Sequence, residues 1–116
     1  MIRPSLLIAF IFAALPAAAQ ENATGDAIRA AITGNTVQGT MSDASAYTEF
    51  YETGGVIKGV DYTGTWTVEG DTMCFAYGTD PATCYGVRIA GDQVTWMDGT
   101  TESGTGRVLA GNPNGF

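Results

Sequence analysis

From Asn35 onward, apolar and polar residues alternate with a period of two. Turn signals interrupt the alternation roughly every 8–12 residues, the rhythm of an all-β chain. The pattern predicts strands over Thr36 to Met41, Ala46 to Thr53, Val56 to Tyr62, Thr65 to Val68, Thr72 to Tyr77, Thr83 to Ile89, Gln93 to Met97 and Ser103 to Leu109. Gly54-Gly55 and Asp98-Gly99 are two-residue hairpin signals, because glycine accepts the positive φ that such turns require. Thr63-Gly64 reads as a looser corner, and Gly78 to Ala82 as a loop. Gly104 and Gly106 weaken the last strand and suit a bulge or a barrel corner.

The centre of this pattern is Gly64-Thr65-Trp66-Thr67-Val68-Glu69-Gly70-Asp71-Thr72-Met73-Cys74-Phe75, a strand, a tight turn and a strand. A looser copy follows at Tyr85 to Trp96 around Gly91-Asp92. Period-two alternation places Trp66 and Val68, Phe75 and Tyr77, Tyr85, Val87 and Ile89, and Val94 and Trp96 on the inner face. Cys74 and Cys84 then share the outer face, across a hairpin from each other.

Before the strands, Asp26 to Thr33 predicts one short helix. Thr24 or Asp26 can cap it, and Gly34 stands at the C′ position. Ala27, Ile28, Ala31 and Ile32 form an apolar stripe fit to lie on a sheet or plug a barrel end. Such a helix is too short to hold alone. Residues 20–25 read as a frayed leader. The start of the chain is different again: Arg3, the apolar run Leu6 to Leu15 and the small residues Ala17-Ala18-Ala19 have the order of a cleaved export signal. That run falls short of the roughly 20 apolar residues a membrane span needs. The expected organisation is a signal at 1–19, leader and helix at 20–34, the β domain at 35–110 and a polar tail at 111–116.

Charge and composition narrow the function classes. After signal removal, four basic residues (Arg29, Lys58, Arg88, Arg107) stand against twelve acidic ones, a formal charge of −8. A nucleic acid or an anionic membrane needs a cationic face, so neither is expected as partner. A domain of under 100 residues has a modest core, and an exported chain with two cysteines commonly pairs them. A Cys74–Cys84 disulfide would contribute about 2–3 kcal/mol on the loop-entropy account.

The residues Gly64-Thr65-Trp66, Gly70-Asp71, Cys74-Phe75, Cys84-Tyr85 and Gly111-Asn112-Pro113 resemble those of a group of short secreted proteobacterial proteins of unknown function. That group looks like an export signal followed by a small β domain with a GTW strand and one cysteine pair. The resemblance implies a fold and a compartment, and no activity. Gly64 and Trp66 are also similar to the Gly-x-Trp of lipocalin-like barrels.

Candidate chemistry is sparse. The chain has no histidine, so Ser-His-Asp and Cys-His arrangements are excluded within it. The cysteines are not spaced as CxxC, and zinc would need carboxylates for half its ligands. Asp71, Asp92 and Asp98 lie in ordinary turn dipeptides with no Asp-x-Asp-x-Asp loop. Glu49, Glu52, Asp61 and Glu69 are strand acids that could pair for glycoside chemistry, but solvated surface positions are the ordinary expectation for them. Trp66, Phe75, Tyr77, Tyr85 and Trp96 either fill the interior or line a ligand pocket, and core filling is favoured. Tyr47, Tyr51 and Tyr62 are expected to be partly exposed.

The fold expected is an all-β antiparallel meander of seven or eight strands, a partly closed barrel with one short N-terminal helix, and a β-sandwich is the alternative. The function expected is a non-enzymatic binding or protein-interaction module, periplasmic or secreted, with no cofactor. Its acidic surface suits a basic protein partner. The alternatives are a carrier for a small apolar ligand with Trp66 and Trp96 inside, and a carboxylate-dependent hydrolase. A central cavity would favour the carrier.

Overall fold

The computed structural model describes residues 21–116. The expected signal, residues 1–19, and Gln20 lie outside the described residues. Eight antiparallel strands follow one helix: α1 (Gly25–Ile32), β1 (Thr36–Met41), β2 (Ala46–Tyr51), β3 (Val56–Gly59), β4 (Tyr62–Glu69), β5 (Thr72–Ala76), β6 (Thr83–Ala90), β7 (Gln93–Asp98) and β8 (Thr101–Leu109). Each strand pairs with the next in sequence, and β1 pairs with β8, from Thr36 opposite Leu109 to Met41 opposite Gly104. The meander is therefore a closed barrel, and closure removes the sheet edges that a partly closed one would leave.

The helix closes one end. Thr24 caps it by accepting the Ala27 N–H, and Gly34, at φ 74°, leads the chain out. Ile28 and Ile32, one turn apart, are fully buried in the barrel core. Burial of two such side chains contributes about 1.5–3 kcal/mol each, which is what holds a helix of two turns. Asp71, in the β4–β5 turn, accepts the Gly25 N–H at 2.8 Å, and Arg29 donates to the Val68 carbonyl. The helix thus sits at the end carrying the β2–β3, β4–β5 and β6–β7 turns. The other end carries the β1–β2, β3–β4, β5–β6 and β7–β8 connections, and among the described residues it has no such plug. The leader is not frayed where it is described: Ala23 donates its N–H to Val87 and Asn22 accepts from Arg88.

The central face assignments hold. Trp66, Phe75, Val87, Val94 and Trp96 are buried in the core, joined by Val37, Ile57 and Met73. Cys74 lies opposite Cys84 in the β5–β6 register, and the two form a disulfide on the outside of the wall. The β7–β8 register shifts between Trp96 and Met97, leaving Ser103 without a partner on β7 beside Gly104, so the glycines of β8 do mark a bulge.

Several element boundaries differ from the sequence expectation by one to three residues, and β8 begins at Thr101 rather than Ser103. The β3–β4 turn is Val60-Asp61, not Thr63-Gly64. Asp61 takes the positive φ, 61°, that short polar side chains tolerate next after glycine, and Val60 is left 66 % exposed at the tip. Strand β2 ends at Tyr51, where the backbone turns to exchange hydrogen bonds with Gly34 and Asn35 under the helix. Among the described residues no helix is long and apolar enough to cross a membrane.

Candidate functional site

The interior is not filled from end to end. A cavity of about 290 Å³ opens at the end opposite the helix. Its apolar wall is made by Phe75, Tyr85 and Trp96, with Met41 and Pro81 near the mouth. Phe75 is the hub of this wall: its ring meets Trp96 edge to face at 5.3 Å and Tyr85 at 5.9 Å. Such pairs are worth about 0.5–1.5 kcal/mol each beyond burial, and they fix the ring planes.

The polar side of the cavity is organised around Glu49, in the middle of β2. Glu49 is only 6 % exposed. Three phenols donate to its carboxylate. Tyr51 reaches Oε1 at 2.9 Å, Tyr62 reaches Oε2 at 2.8 Å, and Tyr77 reaches Oε1 at 3.0 Å and Oε2 at 2.8 Å. Bonds to an ionised acceptor are roughly twice as strong as neutral ones, and burial raises the cost of leaving any of them unmade. Burial first, and then the Glu49 charge and the bond to it, push the Tyr51, Tyr62 and Tyr77 hydroxyls above the ordinary tyrosine range.

Tyr51 comes from β2, Tyr62 from β4 and Tyr77 from the position just after β5, and the sequence makes room for two of them with glycine. A Cβ on Gly64 would lie 2.7 Å from the Tyr77 ring and 2.8 Å from the Ala76 carbonyl oxygen. A Cβ on Gly59 would lie 2.2 Å from the Tyr62 ring. Gly64 of the Gly-Thr-Trp stretch is therefore the place where Tyr77 lies flat against the wall on its way to Glu49.

Tyr47, two residues before Glu49 on the same face of β2, anchors the opposite side. Its hydroxyl accepts the Trp96 Nε1–H at 2.8 Å and donates to the Thr105 carbonyl at 2.9 Å. Burial raises its ionisation above the ordinary range. Both of its bonds hold Trp96 in one orientation.

Of the aromatic candidates, Phe75, Tyr77, Tyr85 and Trp96 come together around this cavity. Trp66 does not: it points toward the helix end, donates Nε1–H to the Glu52 carbonyl at 3.0 Å, and meets Tyr51 edge to face. Of the three tyrosines expected to be partly exposed, Tyr51 needs correction, since it is fully buried; Tyr47 is half-buried and lines the cavity, and Tyr62 is exposed, at 41 %. Glu49 is an interior carboxylate, not a solvated one. The structure does not gather the four strand acids: Glu52 pairs with Lys58 at 2.8 Å, and Asp61 and Glu69 are exposed. Asp80, on the β5–β6 loop, is the second carboxylate at the cavity. Asp92 pairs with Arg107 at 2.7 Å, and no cluster of three or more metal-ligating side chains occurs among the described residues.

The fold and site together define a closed eight-stranded antiparallel barrel, plugged by a helix at one end and hollow at the other. Comparison of the chain with protein-family models, with curated proteins and with solved structures returned no match.

Proposed function

We propose that this is an exported, non-enzymatic carrier that holds a small ligand in the barrel cavity. The observation that carries the reading is the cavity itself: about 290 Å³, open at one end, apolar on one wall and polar at one buried point. Ligand sites in proteins are concave, mostly apolar and provided with a few fixed polar groups, and this volume stands at the small end of their range. The rings around it are held by mutual edge contacts and by the Tyr47–Trp96 bond, so little ordering would accompany binding. The Cys74–Cys84 disulfide supports an oxidising compartment, periplasmic or extracellular, consistent with the signal-like residues 1–19.

Native mass spectrometry of the protein from its producing cells, beside a denatured mass, tests the reading. The expected result is a small adduct lost on denaturation. Adding the recovered ligand should alter tryptophan emission in wild type and in Trp66→Phe, but not in Trp96→Phe, because only Trp96 lies at the cavity. A bare native mass, with no fluorescence response to cell extract, would discard the carrier reading in favour of a protein-interaction module.

A further inference from the structure

Glu49 has hydrogen-bond donors but no cation. The four basic residues of the described chain are all engaged elsewhere: Arg29 with Asp26, Lys58 with Glu52, Arg107 with Asp92, and Arg88 with Asn22. A carboxylate taken out of water is ordinarily paired, and three phenols supply bonds without supplying charge. The cavity beside it is walled by aromatic rings, whose faces carry negative potential. Its second carboxylate, Asp80, adds to the same sign at the mouth.

The hydroxyls sharpen the point. A phenol has one proton to give. Those of Tyr51 and Tyr77 are given to Glu49, and that of Tyr47 to Thr105, while the Trp96 N–H is given to Tyr47. The tyrosine oxygens that remain can only accept, while the Thr83 and Tyr85 hydroxyls at the cavity can donate as well as accept. An anionic ligand would meet Glu49 and Asp80 with no cation to answer it.

We propose that the cavity binds a small organic ammonium ion, seated against the Phe75, Tyr85 and Trp96 rings with its charge toward Glu49. The proposal rests on the small-ligand reading above and names the ligand class for that site. Ammonium groups are attracted to Trp and Tyr faces, more strongly when desolvated, and the negative net charge of the chain draws cations to it. The volume limits the ligand to a compact amine or quaternary ammonium rather than a long polyamine.

The test uses two charge pairs, choline with neohexanol and phenethylammonium with phenethyl alcohol, titrated into the full exported chain by calorimetry. Within each pair the shape is nearly the same and the charge differs. At least one cation should bind roughly tenfold or more tighter than its neutral partner, the scale of a desolvated cation–π contact with a carboxylate behind it. Glu49→Gln should remove that preference while keeping affinity for the alcohol. Should Glu49→Gln fail to fold, the wild-type comparison decides alone, and Asp80→Asn, on an exposed loop, should still weaken the cation relative to the alcohol. Alcohols binding as tightly as the cations would overturn the ammonium proposal and leave the small-ligand reading in place. Failure of all four probes at millimolar concentration would also overturn it; a bare native mass in the preceding experiment is what would remove the small-ligand reading itself.

Discussion

A buried carboxylate held by three phenols makes the contribution of each hydroxyl measurable. Tyr77→Phe removes a donor that serves both Glu49 oxygens, and Tyr51→Phe removes one that is wholly buried. Each is expected to destabilise the fold by about 1–3 kcal/mol, because the acceptor left short is a buried one. Tyr62→Phe should cost less, since that ring is well exposed and water can reach its partner. The three substitutions share one acceptor, so a double variant should depart from the sum of the singles, by about 0.5–3 kcal/mol. Chemical denaturation of the singles and the Tyr51→Phe/Tyr77→Phe double measures this. Equal, additive losses would mean that the phenols act through packing and not through Glu49. Tyr47→Phe belongs to the same scale: it strands the Trp96 N–H inside the cavity wall, and its cost should match that of a buried donor left unpaired, again about 1–3 kcal/mol.

Between elements, what matters is how closely one strand lets another's side chain approach. Gly64→Ala places a methyl against both the Tyr77 ring and the Ala76 backbone, and the backbone has no route of escape. The variant should lose about 1–3 kcal/mol by overpacking, and should also detach Tyr77 from Glu49. A fold of unchanged stability would show that Tyr77 is not seated against β4. The disulfide acts at the same scale. Cys74→Ser/Cys84→Ser opens a loop of sequence separation 10 and should lower stability by about 2–3 kcal/mol, read as a lower melting temperature under oxidising conditions. Much of this layer was legible in the sequence. Strands β4 and β6 alternate most clearly, and the inner faces of β4 to β7 and the outward cysteines follow from period two. Strand β2 was not legible in the same way. Tyr47, Glu49 and Tyr51 share one face, but an acid between two tyrosines reads as a solvated face unless its donors are known. Two of those donors, Tyr62 and Tyr77, stand 13 and 28 residues further on. The β3–β4 turn was missed for a local reason: Asp61 carries the positive φ where a glycine would have announced it, and the glycine at 64 is spent on Tyr77.

Closure ties the whole molecule into one unit, and it lies beyond local patterning, because it joins β1 to β8 across six intervening strands of sequence. Four tyrosines bear on this unit: Tyr47, Tyr51 and Tyr77 inside the wall and Tyr62, more exposed, bonded to the same Glu49 as Tyr51 and Tyr77. Tyr47, Tyr51, Tyr62 and Tyr77 all have ionisation pushed above the ordinary value of 10.0, first by burial. Below that value the folded and unfolded chains both keep these protons, and the stabilisation is fully present. Above it the unfolded chain gives up protons that the folded chain retains, so stability falls as pH rises through the raised values. Alkaline titration should therefore show the phenolate absorbance of Tyr47, Tyr51 and Tyr77 rising together with loss of the circular dichroism signal, with Tyr62, the most exposed, free to ionise ahead of it. Ionisation of Tyr47, Tyr51 and Tyr77 near the ordinary value with the fold intact would contradict the buried network. Glu49→Gln separates the causes. It leaves burial in place and removes the charge that acts on Tyr47, Tyr51, Tyr62 and Tyr77 alike. In that variant the folded-state ionisation should lie closer to the unfolded one, and the alkaline loss of stability should be shallower than in wild type.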